Sequence, residues 1–285
     1  MWVDALSVTL RALSFVALFQ AAGIALFIAL FGRELSGSEH LVRRYGAISA
    51  LVASALVLGH YALEAGRMSG DFSGITDSTL QGMVLRSSSS VALAWRLSGL
   101  ALIAVGLRIH SGRGMWMGVI GATLAISAFT LTGHTAAHPH RWLVSVLLLS
   151  HLLVVALWFG ALIPLHLASS REPAAVAGNV IDSFSRLAVW LVPGLFVAGL
   201  GLAIVLVKHL AGMATPYGQL LFVKLAGFAI LMVLAALNKW RLAPGVARGD
   251  VSASRAFRRS LAAEYVLIAG ILAVTAALTT FFSPE

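Results

Sequence analysis

Three histidines stand within one short run, His134, His138 and His140 in GHTAAHPH, at the end of one apolar stretch and just before the next. Imidazole is the commonest protein ligand for copper, zinc and iron, and a lipid-embedded chain has little structural use for imidazoles gathered at one membrane face. A solvated loop accounts for them without chemistry; a metal or cofactor role accounts for their number and spacing. His151 follows nine residues after Trp142, hence about 13 Å below the same face and close to mid-membrane. A polar ring at that depth is costly unless partnered, which makes it a functional hypothesis by default. His60 lies near the same face on another apolar stretch, with Tyr61 and Glu64 beside it. His134, His60 and His151 thus step from the surface toward the midplane, the order a descending ion would meet them.

Cysteine is absent, so disulfides and thiolate ligands are excluded and a soft-metal site must use Met and His. Met115 and Met117 flank Trp116 close to His110, and Met213 stands near His209. Thioether with imidazole suits Cu(I), so each pair is an accessory-site candidate, although residues at i and i+2 do not share a helix face. Trp158 lies on the face of His151, two turns further in, with Gly160 next to it. A large aromatic beside a small residue most often packs one helix against another. Four charges fall inside apolar stretches: Arg11, Arg96, Lys224 and Glu264. Lys224 and Glu264 differ in depth by about 10 Å of a core about 30 Å thick, leaving Arg241 and Arg259 as the partners open to Glu264. Snorkelling to the interface accounts for the three cations; gathered together, they oppose an entering metal ion.

These residues are positioned by membrane-spanning helices. The chain has 285 residues, 59% of them hydrophobic and only 11% charged, with a mean hydropathy of +0.93. Apolar runs of about 20 residues recur, each long enough to cross a hydrocarbon core at 1.5 Å per residue. They are continuous rather than alternating, which favours helices over a barrel. Eight spans are expected near residues 6–31, 45–65, 89–108, 115–132, 142–168, 184–207, 217–238 and 259–282, forming one membrane domain over 1–285. The first is not a cleaved signal, since it lacks a basic leader. Pro173, Pro216 and Pro244 are expected in connections, while Pro164 and Pro193 fall inside spans.

Basic residues orient the bundle. Arg33, Arg43, Arg44, Arg108, Arg113, Arg171, Arg186, Lys239, Arg241, Arg248, Arg255, Arg258 and Arg259 fall on one side; Arg67, Arg86, Arg141 and Lys208 fall on the other. The positive-inside rule then puts both termini outside and GHTAAHPH with them, in the periplasm of a bacterium. The same asymmetry explains the net charge of +9 without a nucleic-acid partner.

The run GHTAAHPHRWLVSVLLLSHLLVVALWFGALIPL resembles the signature region of the CopD/PcoD copper-resistance membrane proteins. The matching features are Gly-His at the end of a span, His151 seven residues before Trp158, and Trp-x-Gly before a Leu/Pro turn. FSRLAVWLVPGLFVAGLG, TPYGQLLFVKLAG, LNKWRLAP and the stretch around Glu264 follow the family's later pattern in order. The resemblance is good over the second half, from about 133 to 285, and rests on span count and polar placement in the first; Thr135 after Gly-His departs mildly. It implies an eight-helix inner-membrane protein that moves copper inward from the periplasm. It also implies a small periplasmic CopC-like copper carrier as partner. The metal residues expected from position alone are His134, His151 and His60, with His138 and His140.

A different class remains open: a b-type haem membrane protein with His60 and His151 as axial ligands and Arg11, Arg96 or Lys224 on the propionates. Hydrolytic enzymes are not indicated, since no embedded Ser/His/Asp set, carboxylate pair or HExxH spacing occurs. No nucleotide-binding loop is present, so the chain does not drive transport with ATP.

Overall fold

The computed structural model describes residues 2–206 and 216–281, without side-chain placement at 134, 135, 206, 216 and 217. Apolar runs with no acceptor for their peptide groups in lipid must close their own hydrogen bonds, and the described residues form helices and short turns only. Among the described residues, eight helical stretches are long and apolar enough to cross a membrane; the protein is a multi-pass membrane protein. In chain order the helices are α1 (Trp2–Phe31), α2 (Glu39–Ser69), α3 (Ser78–Leu85), α4 (Ser88–Gly106), α5 (Gly112–Ser127), α6 (Gly133–Ala137), α7 (Arg141–Arg171), α8 (Ala174–Leu206), α9 (Pro216–Leu237), α10 (Ala243–Ala247) and α11 (Val251–Phe281). Helices α3, α6 and α10 are short; the others alternate in direction. The end at which α1 starts is called the near face below, and the opposite end the far face.

α1 is the buried centre of the bundle, packing against α2, α5, α7 and α11. Phe19 and Phe27 are fully enclosed, and Phe15 meets Phe129 edge-on at 5.2 Å between ring centroids. α7 touches α1 without intervening side chains: a Cβ on Gly160 would fall 2.3 Å from the Gly23 Cα, and one on Gly23 would fall 1.8 Å from the Ala156 carbonyl oxygen. Small residues permit this approach, the usual basis of helix association in lipid. Trp158, two residues before Gly160, is 6% exposed.

Several helices outrun their apolar cores. α8 starts at Ala174 and α11 at Val251, well before the expected 184 and 259. Helix bonding is local and continues into water where polar residues support it: Asp182 pairs with Arg186 one turn on in α8, and Asp250 accepts from the Ser252 and Ala253 amides at the start of α11. Hydropathy marks only the part in lipid. The placement of two of the three loop prolines needs correction. Pro173 lies between α7 and α8, but Pro216 opens α9 and Pro244 sits in α10. Pro244 has no N–H for an α-helical bond to Trp240; the chain answers with a π-helical turn over Asn238–Leu242, in which the Ala243 N–H donates to the Asn238 carbonyl.

On the far face, Glu172 clasps the turn between α1 and α2. Its Oε1 accepts from the Ser38 amide at 2.7 Å, the Ser38 hydroxyl at 2.6 Å and the Gly37 amide at 2.9 Å, while Oε2 accepts from the Ser36 hydroxyl. Partial burial works against the charge, but these donors outweigh it and hold the carboxyl down to about 2.

Candidate metal-handling site

The histidine run forms the entrance to α7. Gly133 adopts φ +69°, a left-handed conformation that costs an L side chain roughly 1–2 kcal/mol, and this turn lets the chain leave the end of the fourth span. His134 then lies in α6, and its side chain is outside the described placement. His138 and His140 follow in the turn before α7, their ring centroids 6.0 Å apart. Two imidazoles bound to one ion at about 2 Å per nitrogen stand about 5 Å apart between centroids, so a small rotation would let both touch a single ion. The His138 Nδ1 accepts the His140 backbone N–H at 3.1 Å, which places the neutral ring's proton on Nε2; for His138 to ligate an ion this hydrogen bond has to open or the tautomer has to switch.

His151 lies on the same helix as this turn, about 16 Å further in at 1.5 Å per residue. Its Nδ1 stands 3.4 Å from the Leu195 carbonyl oxygen. A carbonyl only accepts, so this contact is a hydrogen bond in the Nδ1–H tautomer, with the Nε2 lone pair free, the arrangement that orients ligating imidazoles. Gly199, one turn beyond Leu195 on α8, gives the ring its room: a Cβ there would lie 3.3 Å from the His151 Cε1. The charge of Lys224 in α9 also bears on this ring.

His60 has other surroundings. The charges of Arg11, Arg96 and Arg67 bear on it, from α1, α4 and α2 itself, and its Nε2 is buried without a hydrogen-bond partner. The structure therefore gives His60 and His151 separate neighbours rather than one shared set. Among the described residues, no group of three or more His, Asp or Glu side chains is arranged to hold a metal ion.

Glu264 departs from expectation. It faces neither Arg241 nor Arg259: its Oε2 accepts from the Trp158 Nε1 at 3.3 Å and its Oε1 from the Asn238 amide. A carboxyl only 2% exposed thus links α7, α11 and the π-helical turn. Gln20, equally buried in α1, donates to the Gly160 carbonyl at 3.4 Å. Asn238 and Gln20 were not singled out from sequence; the available signal was an uncharged amide, inside an apolar run for Gln20 and at the end of one, just before Lys239, for Asn238.

Met115 and Met117 are half-buried while Trp116 and His110 are exposed, and the Met117 Cβ lies against Gly106 of α4, a packing contact. His209 and Met213 lie outside the described residues.

Comparison with known proteins covers both halves of the chain. A family profile described as the N-terminal domain of copper resistance protein D-like proteins matches residues 2–141, and one described as copper resistance protein D matches residues 178–278. The match in the first half goes beyond the span count visible by eye. Copper resistance protein D of Pseudomonas syringae pv. tomato is 27% identical over 304 residues, covering 95% of this chain and 95% of its own length. No solved structure matches the chain.

Proposed function

Since the chain belongs to the copper resistance protein D family, we propose that its role in copper resistance is to pass copper ions across the bacterial inner membrane, from periplasm to cytoplasm. In this reading the near face is periplasmic, both termini included, because the basic residues concentrate at the far face. A CopC-like carrier would deliver copper at the near face, and the chain itself transports rather than catalyses.

The observation that carries the proposal is the placement of imidazoles along α7. The His138–His140 turn, with His134 just before it, offers a first station at the surface. His151 offers a second near mid-membrane, with Nδ1 turned to the Leu195 carbonyl and Nε2 left to bind. Copper is the cargo here. Stations of one or two imidazoles suit a conduit, which must bind strongly enough to strip water and weakly enough to release. Imidazole accepts either copper valence.

The test is copper content of cells expressing the protein, measured by mass spectrometry at matched protein levels. His151→Ala and the double change His138→Ala with His140→Ala should each lower accumulation, while His166→Ala at the far end should not. Unchanged copper in both near-face variants would overturn the assignment. The absorption spectrum of the purified protein separates this reading from a haem protein, which would show a Soret band.

A further inference from the structure

The near-face half of the first four spans carries an excess of positive charge for which the copper path has no use. Arg11 of α1, Arg67 of α2 and Arg96 of α4 all act electrostatically on His60 and on Glu64. None of them makes an ion pair with Glu64 among the described residues. Arg67 approaches Asp4 at 3.8 Å. Among the described residues, Arg11 donates to the Thr279 carbonyl at 3.4 Å and the Thr280 hydroxyl at 3.2 Å. Arg96 has its guanidinium carbon 4.7 Å over the Phe129 ring, and its Nε, the Arg67 Nε and the His60 Nε2 are buried without an acceptor or donor.

Buried donors are ordinarily satisfied, and buried charge is ordinarily paired. Here three guanidinium groups face two carboxylates, Glu64 and Asp4, which leaves one positive charge over among the described residues. We propose that Arg11, Arg67 and Arg96 form a binding site for a singly charged oxyanion of the phosphate class. The ligand is either free phosphate from the near-face solution or the phosphodiester headgroup of an anionic lipid. The single charge follows from the count of groups. The class follows from guanidinium geometry: planar forks arriving from three helices need a ligand with several acceptor oxygens, which chloride lacks. A metal ion is the wrong sign for this place, with three arginines around the one imidazole. The site is independent of the proposed copper route along α7 and α8, and its occupation removes the repulsion that the arginines would exert on a cation nearby.

The test uses the full chain, purified in detergent and stripped of lipid, with equilibrium binding and thermal midpoint as readouts. The probes are radiolabelled inorganic phosphate, phosphatidylglycerol, and chloride and phosphatidylcholine as controls at equal ionic strength. One phosphate source should bind saturably at one site per chain and raise the midpoint. Saturation by free phosphate assigns the ligand to the solution; saturation by phosphatidylglycerol alone assigns it to the lipid, and either supports the site. Arg96→Gln and Arg11→Gln should raise the half-saturating concentration about tenfold or more, while Arg186→Gln on the far half of α8 leaves it unchanged. Should Arg96→Gln not fold, Arg96→Lys, which keeps the charge and loses the fork, still weakens binding. Absence of saturable binding by either source to the folded wild-type chain would overturn the proposal. So would equal affinity in the arginine variants, or chloride competing as well as phosphate.

Discussion

The Trp158 indole donates to the Glu264 carboxyl across the α7–α11 interface at 3.3 Å, between residues 106 positions apart in sequence. With Asn238 on the other oxygen, it makes a buried carboxyl the junction of three helical segments. Trp158→Phe keeps an aromatic ring but removes the indole N–H and part of the ring volume, leaving the carboxyl one donor short beside a small cavity, and should cost about 2–4 kcal/mol. Asn238→Leu should cost about 1–2 kcal/mol. The thermal midpoint in detergent checks both, and the double variant should lose less than the two losses added, because they share one acceptor group.

At the α1–α7 crossing the expected effect is larger. A Cβ on Gly160 meets backbone at 2.3 Å, which no rotamer relieves, so Gly160→Ala should destabilise by about 1–3 kcal/mol and Gly160→Leu should prevent accumulation of folded protein. Gly270→Ala in α11 is the matched control: nothing lies within 4 Å of its added Cβ, and the change should be neutral or slightly stabilising. Equal midpoints for Gly160→Ala and Gly270→Ala would refute the close contact.

Gly199→Val tests the His151 station without touching a ligand. The added branches push the ring from the Leu195 carbonyl, since even a single Cβ comes to 3.3 Å of it. Copper accumulation should fall toward the level of His151→Ala while protein abundance stays near wild type. Accumulation equal to wild type would separate the ring's position from transport.

The Glu172 clasp predicts an acid limit at the far face. Its carboxyl titrates at about 2 in the folded chain and near the ordinary carboxylate value when unfolded, so folding favours the ionised form. The stabilisation is complete above the unfolded value and is lost as pH falls from there through about 2. Glu172→Gln should therefore be less stable than wild type at neutral pH and approach it as the pH is lowered through that window. A stability difference that does not shrink toward acid would remove the assigned role.

Topology has its own check. Reporter fusions after residue 285 should report the periplasmic side and fusions in the turn at Ser36–Ser38 the cytoplasmic side. A cytoplasmic C-terminus would reverse the direction proposed for copper.

The eight crossings were legible because a long apolar run has no other stable fate in lipid. Helix ends were not: α8 and α11 begin in polar segments, α11 at the Asp250 cap and α8 some eight residues before Asp182, where hydropathy has already ended the span. The π-helical turn before Pro244 was missed because a proline after a basic run reads as a stop signal, whereas an i→i+5 bond absorbs it. The histidines of GHTAAHPH marked the right end of α7, but that His138 spends its Nδ1 on the His140 amide depends on backbone angles that sequence does not carry. The partners of Glu264 were hidden for a different reason. Attention to charges alone passes over Asn238, and the Trp158 donor is brought near only by the fold.

The contact of Gly23 with Gly160 divides α7 as a fulcrum divides a beam. His151 lies on one arm and Glu172 on the other, and the Glu172 arm is tied down to the Ser36–Ser38 turn beside α1. A beam pinned at its pivot and at one end does not rock. Any motion that opens or closes the space around the His151 ring then falls to α8, whose Leu195 carbonyl and Gly199 form the wall facing it.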